Sequence, residues 1–275
     1  MTALLFGTGG VPHSAKMRST ESGIERIAEL GLGCMEMEFV RGAHMSEAHA
    51  TVVAETAHRE SIKLSAHAPY FINLNAHDPE KIKASRDRII KTAHIASLCG
   101  TESIIVHAAF YLGDPPEKVY HAVKKQLVEI LKQLREENNQ TLIRLETMGK
   151  PSQFGTIEEI LNLCSDLEGI APCIDFAHWH ARTGGFNSYS EFAAILQQLD
   201  KKLGRLALDN IHIHFSGIAY SVKGEKKHLN LKESDLEYIT LLRALKDYGV
   251  KGTVICESPN LEEDAMLLQA TYNSL

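Results

Sequence analysis

The chain has 275 residues, 44% of them hydrophobic and 23% charged, with 19 Gly and 8 Pro; these proportions exclude long disordered or collagen-like stretches and leave an ordinary globular composition. Its 29 Lys and Arg against 35 Asp and Glu leave a formal charge of −6, which argues against holding nucleic acid by basic excess alone, although bound metal can supply positive charge. Five cysteines, at 34, 99, 164, 173 and 256, are odd in number and form no Cys-x-x-Cys pair, so a reducing, cytoplasmic setting is expected rather than a disulfide framework or a thiolate zinc site.

The opening Met-Thr-Ala-Leu-Leu-Phe-Gly-Thr-Gly-Gly has no basic lead and too short an apolar run for a signal peptide. No stretch approaches the roughly 18 apolar residues of a membrane helix, so no membrane partner is expected. From there, short β-rich runs alternate with amphipathic segments. Strands are predicted over 4–7, 34–40, 63–68, 103–109, 142–147, 171–177, 211–216 and 253–258. Asp78-Pro79-Glu80 and Asp114-Pro115-Pro116-Glu117 read as helix starts, each with a capping Asp, a first-turn Pro and an acid at the positive end of the dipole. Ile157, Ile160, Leu161 and Cys164 make one apolar helix face, and Gly100, Gly169 and Gly249 stand where helices should stop. Regular alternation of eight strand–helix units over 1–275 points to one α/β domain, a single (β/α)8 TIM barrel. No Gly-x-Gly-x-x-Gly follows the first strand, which weakens a dinucleotide-binding sheet. The longest non-periodic stretch, 215–231, follows the seventh strand and reads as a long functional loop.

Fourteen histidines are too many to read at once, but position sorts them. His67, His107, Glu146, Asp175 with His178, His212 with His214, and Glu257 fall at the ends of strands three to eight. In barrel enzymes that rim carries the chemistry. Imidazoles with carboxylates and no thiolate suit zinc, manganese or iron. Taken singly, each has an ordinary explanation: a satisfied core or surface histidine, a helix-capping Asp175, a Glu257 paired with a base. Taken jointly, six successive strands delivering such groups to one rim point to a metal site. Glu225 and His228, in Gly-Glu-Lys-Lys-His, could add a further site with His178. His13, His44, His49, His58, His77, His94, His121 and His180 are expected to be solvated.

These residues resemble endonuclease IV, the metal-dependent apurinic/apyrimidinic endonuclease family within the xylose isomerase-like TIM barrel superfamily. His-Ala-Pro-Tyr-Phe-Ile-Asn-Leu at 67–74 is similar to the family's His-x-x-Tyr-x-Ile-Asn-Leu. Leu-Glu-Thr-Met-Gly-Lys at 145–150 is similar to its Leu-Glu-Asn-Thr-Ala-Gly. Cys-Ile-Asp-Phe-Ala-His at 173–178 matches its Cys-Ile-Asp-Thr-x-His, and Glu-Ser-Pro at 257–259 its Glu-Thr-Pro. There are departures. After His212 the chain reads Ile-His-Phe-Ser where the family usually has Leu-Asn-Asp-Ser/Ala. Ala follows His107 where the family often has Pro. The Asp-x-His pair appears only as Glu225-Lys-Lys-His228, and the segment from Glu36 to Arg41 lacks the family's amide-rich wording. The chain resembles a divergent branch.

The resemblance implies up to three zinc ions, with manganese or another divalent ion as substitutes. His67, His107 and Glu146 would hold the first. Glu146 would bridge to the second, completed by Asp175, His212 and Glu257, with His214 as the alternative to His212. His178, Glu225 and His228 would hold the third. It implies catalytic roles for Glu146 and Glu257 and a cut 5′ to an abasic site in double-stranded DNA, leaving a 3′-hydroxyl and a 5′-deoxyribose phosphate, by a monomer. Arg41, Tyr70 and Phe71 match its DNA-contacting positions, and Lys150, Lys223, Lys226 and Lys227 would meet the backbone. Three divalent ions would add about six positive charges against the formal −6. A one-metal sugar isomerase or epimerase would need only Glu146, Asp175, His212 and Glu257, and a non-catalytic metal-binding barrel is a third reading.

Overall fold

Eight strands pair edge to edge, all parallel, until the last meets the first. They are β1 (Leu4–Gly9), β2 (Cys34–Glu38), β3 (Lys63–His67), β4 (Ser103–Val106), β5 (Leu142–Glu146), β6 (Ile170–Asp175), β7 (Ile211–Phe215) and β8 (Gly252–Cys256). The helices between and after them are α1 (Thr20–Glu29), α2 (Glu47–Glu60), α3 (Pro79–Leu98), α4 (Pro116–Glu136), α5 (Ile157–Asp166), α6 (Phe176–Thr183), α7 (Tyr189–Leu203), α8 (Arg205–Asp209), α9 (Tyr238–Asp247) and α10 (Glu262–Ser274). The computed structural model describes residues 3–275. Met1 and Thr2, at the head of the stretch read as lacking a signal peptide, lie outside the described residues. The closed (β/α)8 barrel expected from the alternation is the architecture found.

The local chemistry explains the elements. The strands are buried on both faces, as parallel strands wrapped by helices must be, and Ile104, Ile105 and Val106 on β4 are fully buried. Val119, Val123, Leu127, Ile130 and Leu134 form the buried stripe of α4 at helical spacing. Asp78 caps α3 through the Glu80 backbone N–H with Pro79 in the first turn, as predicted. The second predicted cap fails. Pro115 occupies the N-cap of α4, and Asp114 instead accepts from His77 and Lys118. Gly100, Gly169 and Gly249 follow helix ends with positive φ.

Strand boundaries moved where the chain leaves the barrel. The expected strand 103–109 ends at Val106, and Ala109–Phe110 pairs antiparallel with Gln153–Phe154 in a small ribbon above the rim. The expected 171–177 ends at Asp175, because that side chain caps α6 through the His178 backbone N–H. His107, His178 and Glu257 therefore lie just beyond their strands.

The stretch 215–231 is not an irregular loop. It folds into an antiparallel hairpin of Gly217–Ser221 and Gly224–Leu229, with a register shift at Ala219/Tyr220. Its base is tied to α6. His180 Nε2 meets Asp235 Oδ1 at 3.1 Å, and Tyr220 donates to Asp235 Oδ2 at 2.7 Å. His180 is only 2% exposed, which corrects its assignment to the solvated histidines; Asp235 and the Phe186 carbonyl satisfy its two ring nitrogens.

Neighbouring strands approach most closely at Gly7, where an added Cβ would lie 1.7 Å from the Cys34 carbonyl oxygen. Both atoms belong to barrel backbone that cannot yield without opening the β1–β2 pair. Gly7→Ala should destabilise the fold by about 3 kcal/mol, read as a lowered denaturant midpoint; an unchanged midpoint would mean that the closure tolerates a wider spacing there.

Candidate metal centre

Side chains alternate along a strand, so residues two apart face the same way. Arg144 and Glu146 on β5, His212 and His214 on β7, and Glu36 and Glu38 on β2 follow this rule and point into the barrel or onto its mouth. Register then sets the depth. Glu36 lies beside Ser65 and Glu38 beside His67. His212 lies beside Thr253, Glu146 beside Cys173, and Asp175 beside His214.

Glu146 stands at the centre and is 2% exposed. Its Oε2 lies 3.2 Å from His67 Nε2 and 2.9 Å from His107 Nε2. Its Oε1 lies 3.1 Å from His178 Nδ1 and 3.3 Å from His214 Nδ1. Three sets of potential ligand atoms gather around it, each set within 4.8 Å of one another: His67, His107 and Glu146; Glu146, Asp175, His214 and Glu257; and Asp175, His178 and His228. Glu225 stands at the edge of the last, with Oε2 3.5 Å from His178 Nε2. A cavity of about 450 Å³ opens onto these groups, walled also by Tyr70, Phe110, Met148, Lys150 and Gln153. Gly149 gives the hairpin room to approach, since a Cβ there would sit 2.7 Å from that of Glu225.

Several ring nitrogens are engaged from behind. His67 Nδ1 donates to the Ala68 carbonyl at 2.7 Å, and His228 Nδ1 to the Glu257 carbonyl at 3.2 Å. Both rings are thereby turned to present Nε2 to the cavity, as metal-ligating histidines usually are. Asp175 uses Oδ1 as a helix cap, while its buried Oδ2 has no hydrogen-bond partner. The Nδ1 of His214, wholly buried, likewise has none. Buried polar atoms without partners are costly, and a divalent ion between these two, Glu146 and Glu257 would satisfy them. The nitrogen–oxygen donor set suits zinc, manganese or iron.

The charges in the cluster depend on one another. Burial opposes ionisation of Glu146, but the surrounding histidines hold it well below the usual carboxylate range. Burial opposes charge on His67 and His178 too, yet neighbouring carboxylates push them up to about 9 and about 10. Burial lowers His107, which faces two other rings, and raises Asp175 to about 6 and Glu38 to about 8.

The structure brings His67, His107, Glu146, Asp175, His178, His228 and Glu257 together as the sequence suggested. It separates the two candidates on β7. His214 meets the carboxylates, whereas His212 lies deeper, with Nε2 3.0 Å from Glu36 and Nδ1 2.8 Å from the Thr253 hydroxyl. The assignment of His212 beside Glu146 thus gives way to its alternative. Tyr70 is half exposed and stacks on His107 at 5.2 Å. Phe71 is 52% exposed under the Arg88 guanidinium, and Arg41 is exposed in the turn after β2. Sequence reasoning missed Glu36, Glu38 and Gln153. The first two had a signal, since Glu-x-Glu in a barrel strand sends both acids inward.

A sequence profile described as the xylose isomerase-like TIM barrel family matches residues 24–271. The chain belongs to that family. Among its relatives is an uncharacterized protein of Methanocaldococcus jannaschii, 45% identical over 273 residues and covering 99% of this chain and 98% of the relative. A probable endonuclease 4 of Bacillus subtilis is 28% identical over 215 residues, 74% of this chain and 68% of the relative. Endonuclease IV from Thermus thermophilus superposes with a TM-score of 0.73 at 20% identity, over 97% of this chain and 98% of that one. A D-tagatose 3-epimerase-like protein also gives 0.73, at 22% identity, over 97% and 96%. One fold is thus shared with a protein named as an endonuclease and one named as epimerase-like, and the site must decide between them.

Zinc, were it to bind here, would have to displace the protons held on His67 and His178. Its affinity should rise by at least about tenfold per pH unit from 6 to 8 and level off only above the range of about 9 to 10 where those rings titrate. Chelator competition across that range checks this; a flat profile would mean that neither ring is a ligand.

Proposed function

We propose that the chain is a metal-dependent apurinic/apyrimidinic endonuclease that hydrolyses the phosphodiester 5′ to an abasic site in double-stranded DNA. The observation that carries this reading is the place of Glu146, whose two oxygens face ligand sets on opposite sides. A carboxylate so placed suits a bridge between cations, and a one-metal enzyme does not need His67 and His107 on its far side as ligands, though they could contact sugar hydroxyls. Divalent ions held there would supply Lewis acidity to a phosphate oxygen and polarise a water for in-line attack.

The remaining work falls to the chain's own residues. Glu146 and Glu257 face the reacting phosphate, and Glu257 can orient the attacking water. Lys150, on the cavity wall, can neutralise a phosphate oxygen. The loops following the strands expose Met17, Tyr70, Phe71, Leu112 and Val222. Apolar side chains on that face can stack on nucleotides, and an abasic nucleotide, with no base to unstack, is extruded at less than the usual few kcal/mol. Tyr70, on the cavity wall, and the exposed Phe71 after it could fill the gap, with the exposed Arg41 following the backbone. Lys223, Lys226 and Lys227 on the hairpin are exposed and placed for phosphates. Among the described residues no helix is long and apolar enough to cross a membrane, and all five cysteines are free; a monomer working in a reducing cytoplasm is part of the same proposal.

A second reading has its own support: Glu146, Asp175, His214 and Glu257 alone form a complete one-metal set, and an epimerase-like fold superposes equally well. Counting metals on protein purified without chelators, paired with a fluorescent abasic-duplex assay, separates the two. Two to three ions and a nick at the abasic site are expected. One ion, an intact duplex and conversion of a ketose would replace the nuclease by the isomerase. Glu146→Gln should lower cleavage by at least about 100-fold, the scale of losing one electrostatic stabiliser, and full activity in that variant would remove the bridge. For binding, each of Lys150, Lys223, Lys226 and Lys227 replaced by Ala should flatten the plot of log Kd against log salt by about 1; an unchanged slope would show that the lysine meets no phosphate.

A further inference from the structure

Beneath the ligands lies a group that the proposed chemistry does not use. Glu36 on β2 is fully buried, and both its oxygens are committed. Oε1 lies 3.0 Å from His214 Nε2, and Oε2 lies 3.0 Å from His212 Nε2 and 2.6 Å from the Ser65 hydroxyl. An ionised carboxylate has no proton to give, so every partner must donate. Each imidazole therefore carries a hydrogen on Nε2. For His212, the Thr253 hydroxyl, 2.8 Å from Nδ1, can supply the complementary donor, so that both ring nitrogens have partners within the protein. For His214, Nδ1 is left facing Glu146 at 3.3 Å and Glu257 at 3.5 Å without a hydrogen-bond partner.

Resting on the metal-centre reading above, we propose that Glu36 is the positioning residue of the second metal site: it makes His214 an Nδ1 ligand and holds His212 out of the coordination sphere. The arrangement is a carboxylate–histidine–metal relay of the kind that fixes ring orientation and increases ligand basicity. It has an added feature. One carboxylate sets two histidines two residues apart on β7, so it decides which of them coordinates. Two imidazole nitrogens and a hydroxyl converge on the two oxygens of Glu36, the arrangement of an acceptor carboxylate.

The test uses zinc-loaded protein labelled with ¹⁵N-histidine, whose ring resonances report which nitrogen bears hydrogen and which bears metal. His214 should show metal at Nδ1 and hydrogen at Nε2, and His212 hydrogen at Nε2 with no metal. Coordination by His214 through Nε2, or by His212 at all, would overturn the proposal. Two variants add a second readout, zinc affinity by chelator competition together with the cobalt(II) absorption band. Glu36→Leu removes both acceptors and should weaken the ion held by His214 by 10- to 100-fold while leaving the His67/His107 site filled. Glu36→Gln can turn its one oxygen to His214 while His212 reverses its tautomer against Thr253, and should lose markedly less. Equal, undiminished affinity in both variants would overturn the proposal. If Glu36→Leu fails to fold, the ring resonances of the natural protein still decide. Protein that takes up no zinc removes the metal-centre reading and this inference together; zinc uptake with the wrong nitrogen of His214 removes this inference alone.

Discussion

A carboxylate sealed among imidazoles governs this molecule. Glu146 has almost no contact with water, and its two oxygens meet four histidines drawn from β3, β4, α6 and β7. Removing a charge from water is expensive unless it is paired, so the barrel mouth is organised around opposite charge. Protons on the rings can serve that purpose, and divalent ions would serve it better, because the orphaned Asp175 Oδ2 and His214 Nδ1 would then also gain partners. The chemistry at the mouth and the stability of the upper barrel are thereby one problem.

Below this layer the interior is also polar. Arg144 shares the inward face of Glu146, is 4% exposed and donates to the carbonyls of Pro172 and Asn210. Between Arg144 and the mouth come Glu36, Ser65, His212 and Thr253, joined by hydrogen bonds. A barrel filled with aliphatic side chains would be simpler to stabilise. The polar filling instead connects the floor to the ligands, and burial holds His212 down at about 4 so that it stays neutral within that column.

Much of this was legible in the sequence for identifiable reasons. Strand ends are easy to find when a β-rich run stops at a polar residue, so Glu146 and Asp175 fell where expected. Depth within the barrel was harder. His212 and His214 share one face by the two-residue repeat, and strand direction puts His214 nearer the mouth; which of them reaches the carboxylates depends on the register of β7 against its neighbours. Glu36 was passed over because its partners are remote, at positions 65, 212 and 214. The hairpin after β7 was hidden by lysines that resemble a solvated loop, and His180 by a partner, Asp235, that lies 55 residues away.

The knot of His180, Asp235 and Tyr220 has a mechanical result. It fastens the helix bearing His178 to the foot of the hairpin bearing His228, so the two rings, whose Nε2 atoms are 3.3 Å apart, travel together as a strut. Arg182 on the same helix donates to the carbonyls of Met148, Lys150 and Gln153, so this strut is also joined to the wall that carries Glu146.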